Sequence, residues 1–134
     1  MAQSESRHQP PGGDSWDGKL RVLLIVDDDP RICRMLSRRL ESSFDGFHTA
    51  GTPADAEFKL KEESITHLIC DFNLGERAPK GTELIVKWRS LYPSIERAVL
   101  FTSTYLDDKV KLAGVDTLIH KTTDFNQLME ALNS

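Results

Sequence analysis

Asp27, Asp28, Asp71, Thr102 and Lys121 each stand at or just past the end of a short apolar run in this 134-residue chain. A lone strand-end carboxylate, hydroxyl or ammonium is ordinarily a loop cap or a solvated group. Together they make a chemical set. Three carboxylates brought into one crevice repel and push each other's pKa upward, and a divalent cation relieves that conflict. All-oxygen donors favour Mg²⁺, which works with one or two carboxylates plus phosphate oxygens. A lysine ammonium and a threonine hydroxyl on the far side are suited to holding phosphoryl oxygens. The set reads as metal-assisted phosphoryl transfer onto a carboxylate.

That chemistry needs elements that carry five distant residues to one place. Leu20–Val26 is almost continuously apolar, the pattern of a strand buried on both faces, and it breaks at Asp27-Asp28-Asp29-Pro30. Asp29 suits a helix N-cap and Pro30 the first helical position. Ile32, Met35, Leu36 and Leu40 follow at helical spacing, with Arg31, Arg34, Arg38 and Arg39 on the wetter side. Phe47–Ala50 predicts a second strand, and Thr52-Pro53 caps a helix running to about Glu63 with Ala56 and Leu60 on its inner face. Thr66–Asp71 is the third strand and delivers Asp71. A loop containing Gly75, Pro79 and Gly81 leads to a third helix with Leu84, Ile85, Trp88 and Leu91 on one face, ended by Tyr92-Pro93. Arg97–Thr102 is the fourth strand, Asp107–Ala113 a short polar helix stopped by Gly114, and Thr117–His120 the fifth strand. Thr122 or Thr123 caps a last helix striped by Phe125, Leu128, Met129 and Leu132. Five repeats of strand then helix predict an α/β fold whose parallel sheet is covered on both faces. All strand C-termini then share one edge, where ligands of open α/β sheets collect.

Bulk properties narrow the classes. The length fits one domain with its own core. With 17 basic and 21 acidic residues and a net charge of −4 in a mixed pattern, no basic stripe points to nucleic acid. Apolar runs are far too short to span a membrane, and no signal-peptide core is visible. Residues 1–18, rich in Ser, Gln, Pro and Gly, read as a disordered leader, and 19–134 as the folded domain. Cys33 and Cys70 read as reduced core thiols in a cytoplasmic protein. The four histidines lack metal-ligand spacing. His120 reads as an exposed neighbour of Lys121.

With these residues in place, the chain from about Lys19 to Asn133 resembles the receiver domain of two-component response regulators. The resemblance implies a doubly wound, flavodoxin-like five-stranded sheet of order 2-1-3-4-5. It implies that Asp71 is the phosphoacceptor. Asp27 and Asp28, with Asp71 and the backbone carbonyl of Asn73, would hold Mg²⁺. Thr102 matches the switch hydroxyl and Lys121 the phosphate-pairing lysine. The phosphodonor would be a sensor histidine kinase or a histidine phosphotransfer protein in a phosphorelay. Such a domain catalyses its own aspartyl phosphorylation and dephosphorylation but serves as a signalling switch. Output would run through contacts with a partner protein, with neither nucleic acid nor membrane bound directly.

The chain departs from the family pattern at several points. Thr122 stands where Pro usually follows the lysine, and Gly75 where Pro is common. The loop from Asp71 to Gly81 is slightly long, and the stretch between Thr102 and Lys121 a few residues short. The aromatic usual on strand five is Leu118. The chain therefore reads as a stand-alone, phosphorylatable receiver with a non-standard output face. The alternative is a receiver-fold adaptor whose partner binding does not depend on phosphorylation. A phosphohydrolase that works through an aspartyl nucleophile would need a second Asp as general acid two residues on, where this chain has Asn73.

Overall fold

The computed structural model describes residues 20–106, 112–122 and 125–133. Five strands, β1 (Val22–Val26), β2 (Gly46–Ala50), β3 (His67–Cys70), β4 (Arg97–Thr102) and β5 (Thr117–His120), form one sheet of order β2-β1-β3-β4-β5. Every pairing is parallel, as strand–helix alternation demands. Among the described residues the α-helices are α1 (Pro30–Leu40), α2 (Pro53–Glu62), α3 (Gly81–Leu91) and α4 (Phe125–Asn133). The expected doubly wound sheet and its strand order are what is observed.

Alternation along each strand sorts the core into two layers. Leu24 and Val26 of β1, Leu68 and Cys70 of β3, and Ala98 and Leu100 of β4 meet Ala56 and Leu60 of α2 and Leu84, Ile85 and Trp88 of α3. On the other face Leu23, Ile25, Ile69, Val99, Phe101 and Ile119 meet Cys33, Leu36 and Leu40 of α1 and Leu128, Ala131 and Leu132 of α4. Burying each large side chain contributes roughly 1.5–3 kcal/mol. Trp88 is wholly buried, and its indole N–H donates to Glu57 Oε2 at 3.1 Å, tying α3 to α2.

The caps explain where α1 and α2 start. Asp29 accepts from the Arg31 amide ahead of Pro30, and Thr52 Oγ1 accepts from the Asp55 amide ahead of Pro53. Several expectations are corrected. β1 begins at Val22, because pairing starts opposite Gly46; Leu20 lies outside it and is exposed. β2 begins one residue early at Gly46, and β3 excludes Thr66 and Asp71. On α1, Cys33 rather than Met35 joins Leu36 and Leu40 in the core, since Met35 sits one residue off that stripe and faces water. Leu91, at the last turn of α3, is likewise exposed. Gly81 is no loop residue but the first residue of α3. Gly114 does adopt a left-handed conformation, φ +78°. The leader expected over 1–18 lies outside the described residues, as do Thr123 and most of the helix expected over Asp107–Ala113.

At the opposite edge from the strand C-termini, β3 opens with a buried histidine. His67 bonds Thr66 Oγ1 through Nδ1 at 2.8 Å and meets the Phe44 ring edge-on. Burial, reinforced by the Arg21 charge, lowers its pKa from 6.5 to about 4. The folded state therefore refuses a proton that the unfolded chain accepts, and stability falls as pH drops from 6.5 toward 4. Between pH 7 and pH 5 the loss from this one group is about 2 kcal/mol. Unfolding free energies from urea titrations at the two pH values should diverge by that much more in the wild type than in His67→Gln; equal divergence would refute the assignment.

Candidate functional site

The C-terminal ends of β1, β3, β4 and β5 bring all five sequence-predicted side chains to one edge. Main-chain bonds set the spacing: Asp27 N to Ala50 O (3.0 Å), Asp71 N to Val26 O (2.9 Å), and Lys121 N to Thr102 O (2.8 Å). These continue the ladder just past the strands, so Asp27, Asp71 and Lys121 are each held by a neighbouring strand end. Gly81 N donates to Phe72 O at 2.8 Å, which seats the start of α3 against the backbone following Asp71.

Here a cavity of about 480 Å³ opens to solvent, lined by Asp27, Asp28, Asp71, Asn73, Lys80 and Lys121 among others. Carboxylate oxygens of Asp27, Asp28 and Asp71 lie within 4.8 Å of one another, so the triad can hold a metal ion. Its chemistry fits a hard cation, being all oxygen with a third member, Asp28, exposed and able to reorient. Lys121 Nζ donates to Asp27 Oδ2 at 2.6 Å and to Asp71 Oδ2 at 3.2 Å. Burial pushes the Asp27 carboxyl above the ordinary aspartate range, with the Lys121 hydrogen bond opposing it only in part. Burial also works against the Lys121 ammonium, yet the bonds and charges of Asp27 and Asp71 outweigh it and hold its pKa above the usual lysine value. Asp29 N donates to Asp27 Oδ1 at 2.9 Å, fixing that carboxylate from the other side.

Thr102 is 1% exposed and stands behind the cavity rather than in its lining. Its Oγ1 accepts from Thr104 N at 3.1 Å, leaving the hydroxyl proton to donate elsewhere. The Asn73 side chain is held at both ends: Nδ2 donates to Thr104 Oγ1 (3.0 Å) and Oδ1 accepts from Lys80 Nζ (2.7 Å). No hydrogen bond among the described residues ends on its backbone carbonyl, which is therefore open to a ligand. Lys80, Glu76 and Ser103 line the cleft without having been singled out in the sequence. Their loop positions give no periodic signal.

His120 is more than a neighbour of Lys121. Its Nε2 lies 3.0 Å from the Ser103 carbonyl, which can only accept, so that nitrogen carries the proton. Its Nδ1 then accepts from Thr122, whose hydroxyl is 2.8 Å away. Tyr105 stacks on the ring at 4.0 Å. Leu118, where the family usually has an aromatic, is exposed on β5. Cys33 and Cys70 are free and buried as expected. Burial and the nearby aspartates raise both thiols, which keeps them protonated and unreactive.

Comparison with known proteins agrees with this geometry. The family model described as "Response regulator receiver domain" matches residues 23–133. The chain is similar to the transcriptional regulatory proteins GlrR of Escherichia coli (strain K12) and QseF of Escherichia coli O157:H7. It is 27% identical to each over 113 residues, which make up 83% of this chain and 25% of theirs. It thus spans about a quarter of the length of these curated relatives. A CheY-like receiver domain protein from Methanospirillum hungatei superposes with TM-score 0.74 at 27% identity, covering 86% of this chain and 92% of that one. TrrA from Thermotoga maritima, solved with Mg²⁺ and BeF, has the same fold: TM-score 0.72 at 21% identity, covering 85% of this chain and 97% of that one. No helix among the described residues is long and apolar enough to cross a membrane. With a family match spanning nearly the whole described fold, the chain belongs to the response regulator receiver domain family of two-component signalling.

Proposed function

We propose that this receiver accepts a phosphoryl group onto Asp71 from a histidine kinase or histidine phosphotransfer protein and signals through contacts with a partner protein. The observation that carries the reading is Asp71 itself. It is a carboxylate at the end of a central strand, within 4.8 Å of Asp27 and Asp28 and 3.2 Å from the Lys121 ammonium.

An Asp71 oxygen attacks the phosphorus of the donor phosphohistidine as the P–N bond breaks. The bonding pair leaves on the imidazole nitrogen, which takes a proton from solvent, and an aspartyl phosphate remains. Lys121 exchanges its carboxylate partners for a phosphoryl oxygen, charge-assisted at either end. The Thr102 hydroxyl donates to another. Mg²⁺ held by Asp27, Asp28, Asp71 and the Asn73 carbonyl supplies positive charge against the phosphoryl oxygens when bound. Water attacking the same phosphorus returns the free carboxylate and ends the signal. Solved relatives support the reading by likeness: one from Burkholderia pseudomallei is described with a phosphorylated aspartic acid and a calcium ion, and TrrA with Mg²⁺ and BeF. The domain so proposed runs over 19–134, and its two free thiols suit a reducing, cytoplasmic compartment.

The test is direct. With acetyl phosphate and Mg²⁺ the intact mass should rise by one phosphoryl group. Borohydride reduction of the acyl phosphate should map it to Asp71 by peptide sequencing. A phosphoryl group at another residue, or none, would overturn the assignment.

A further inference from the structure

We propose that Lys80 is a second phosphoryl-binding cation of the cleft, taking the dianionic phosphoryl group of an incoming donor at the rim before transfer. The inference rests on the reading of Asp71 as acceptor and adds a residue that the family set does not contain.

Its placement violates a local rule. Lys80 occupies the N-cap of α3, and its side chain makes no capping bond. The N-terminal end of a helix carries partial positive charge and prefers Ser, Thr, Asn or Asp, so a lysine there is disfavoured. Local rules are broken most often at functional sites. The ammonium is nevertheless held in place. Nζ donates to Asn73 Oδ1 at 2.7 Å and stands 5.5 Å from the Phe72 ring centroid. Both partners are neutral, and among the described residues Lys80 forms no ion pair, although Glu76 and four aspartates line the same cleft. An ammonium has three donors, and Asn73 takes one.

The electrostatics of the cleft give such a cation a task. Asp27, Asp28, Asp29, Asp71 and Glu76 face only Lys80 and Lys121 among the lining residues. Asp29 is further paired with Arg31. Against Lys121 and Arg31 alone, these carboxylates leave a surplus of negative charge that a bound divalent cation reduces without cancelling, and a dianion approaching Asp71 meets that surplus unless Lys80 offsets it. Lys121 is already committed to Asp27 and Asp71 deep in the cleft. Lys80 offers positive charge at the rim without first breaking a carboxylate bond.

The experiment separates this role from that of a strut for Asn73. Lys80→Gln keeps a donor for Asn73 Oδ1 and removes the charge, while Lys80→Arg keeps the charge. Phosphorylation rates of the full chain are measured at saturating Mg²⁺ with two donors. Acetyl phosphate is a dianion at neutral pH, and phosphoramidate carries a single net negative charge. Lys80→Gln should slow acetyl phosphate about fivefold and phosphoramidate about twofold, and flatten the salt dependence of the former. Lys80→Arg should restore the wild-type rates. Unchanged rates in Lys80→Gln, or equal slowing with both donors, would overturn the role of Lys80 alone. Failure of both donors to modify the wild type would overturn the reading of Asp71, and this inference with it.

Discussion

Gly81→Ala should unfold or cripple the domain, although a helical glycine is ordinarily improved by alanine. Alanine at an unstrained helix position adds about 0.5–1 kcal/mol. Here a Cβ would fall 2.1 Å from the Asp71 carbonyl oxygen, 2.9 Å from its carbonyl carbon and 3.1 Å from Leu100 Cδ1. The first two are backbone atoms at the end of a central strand, so neither can swing aside. Either α3 lifts from the sheet, breaking the Gly81 N to Phe72 O bond and loosening the layer around Trp88, or the Asp71 backbone moves. The first route costs roughly 3 kcal/mol or more, well above the helix-propensity gain. The second displaces the Asp71 carboxylate, the proposed acceptor, from Asp27 and Lys121. Urea unfolding and acetyl phosphate labelling should both report the change. Gly46→Ala is the control, because its Cβ would meet only Val22 Cγ1 at 3.9 Å. Wild-type stability and labelling in Gly81→Ala would refute the argument.

That glycine also marks where the sequence stops being legible. The strand ends were readable because chemistry and topology coincide: apolar runs end abruptly in Asp27, Asp71 and Thr102, and parallel alternation sends every such end to one edge. The caps at Asp29-Pro30 and Thr52-Pro53 were readable because each is a local hydrogen-bonding pattern. Gly81 looked like part of a loop because a glycine beside Pro79 usually is. What fixes it in a helix is the approach of Asp71's backbone, a contact between strand and helix that no local pattern encodes. Lys80 was invisible for a similar reason, since its meeting with Asn73 depends on the path of the whole loop. Met35 and Leu91 show the limit of periodicity. Apolar character near the right stripe did not decide burial; the angle of Cys33 and Leu36, and the end of α3 beyond Trp88, did. Tyr105 stacked on His120, an aromatic contact at the end of β5 supplied from the loop after β4, is likewise set by the path of a loop and carried no local signal.

Lys121→Met should separate metal binding from phosphoryl transfer by moving them in opposite directions. In the wild type the ammonium bridges Asp27 and Asp71, with 14% of its side chain exposed and 3% of Asp27's. Methionine keeps the apolar stem and leaves two sequestered carboxylates without a countercharge. Removing one partner of a buried pair costs about 3–5 kcal/mol; with the cleft open to water, roughly 2 kcal/mol is expected, lowering the melting temperature in EDTA by roughly 6–10 °C. Mg²⁺ competes with the ammonium for the same oxygens, so its loss should tighten Mg²⁺ binding, and added Mg²⁺ should raise the variant's melting temperature more than the wild type's. Phosphorylation should still slow by about tenfold or more, because the group proposed to neutralise a phosphoryl oxygen is gone. Calorimetric Mg²⁺ titration, melts with and without the metal, and acetyl phosphate labelling read the three effects separately. Weaker Mg²⁺ binding in the variant would mean that Lys121 organises the carboxylates rather than competing for them, and the electrostatic account of the cleft would have to be reversed.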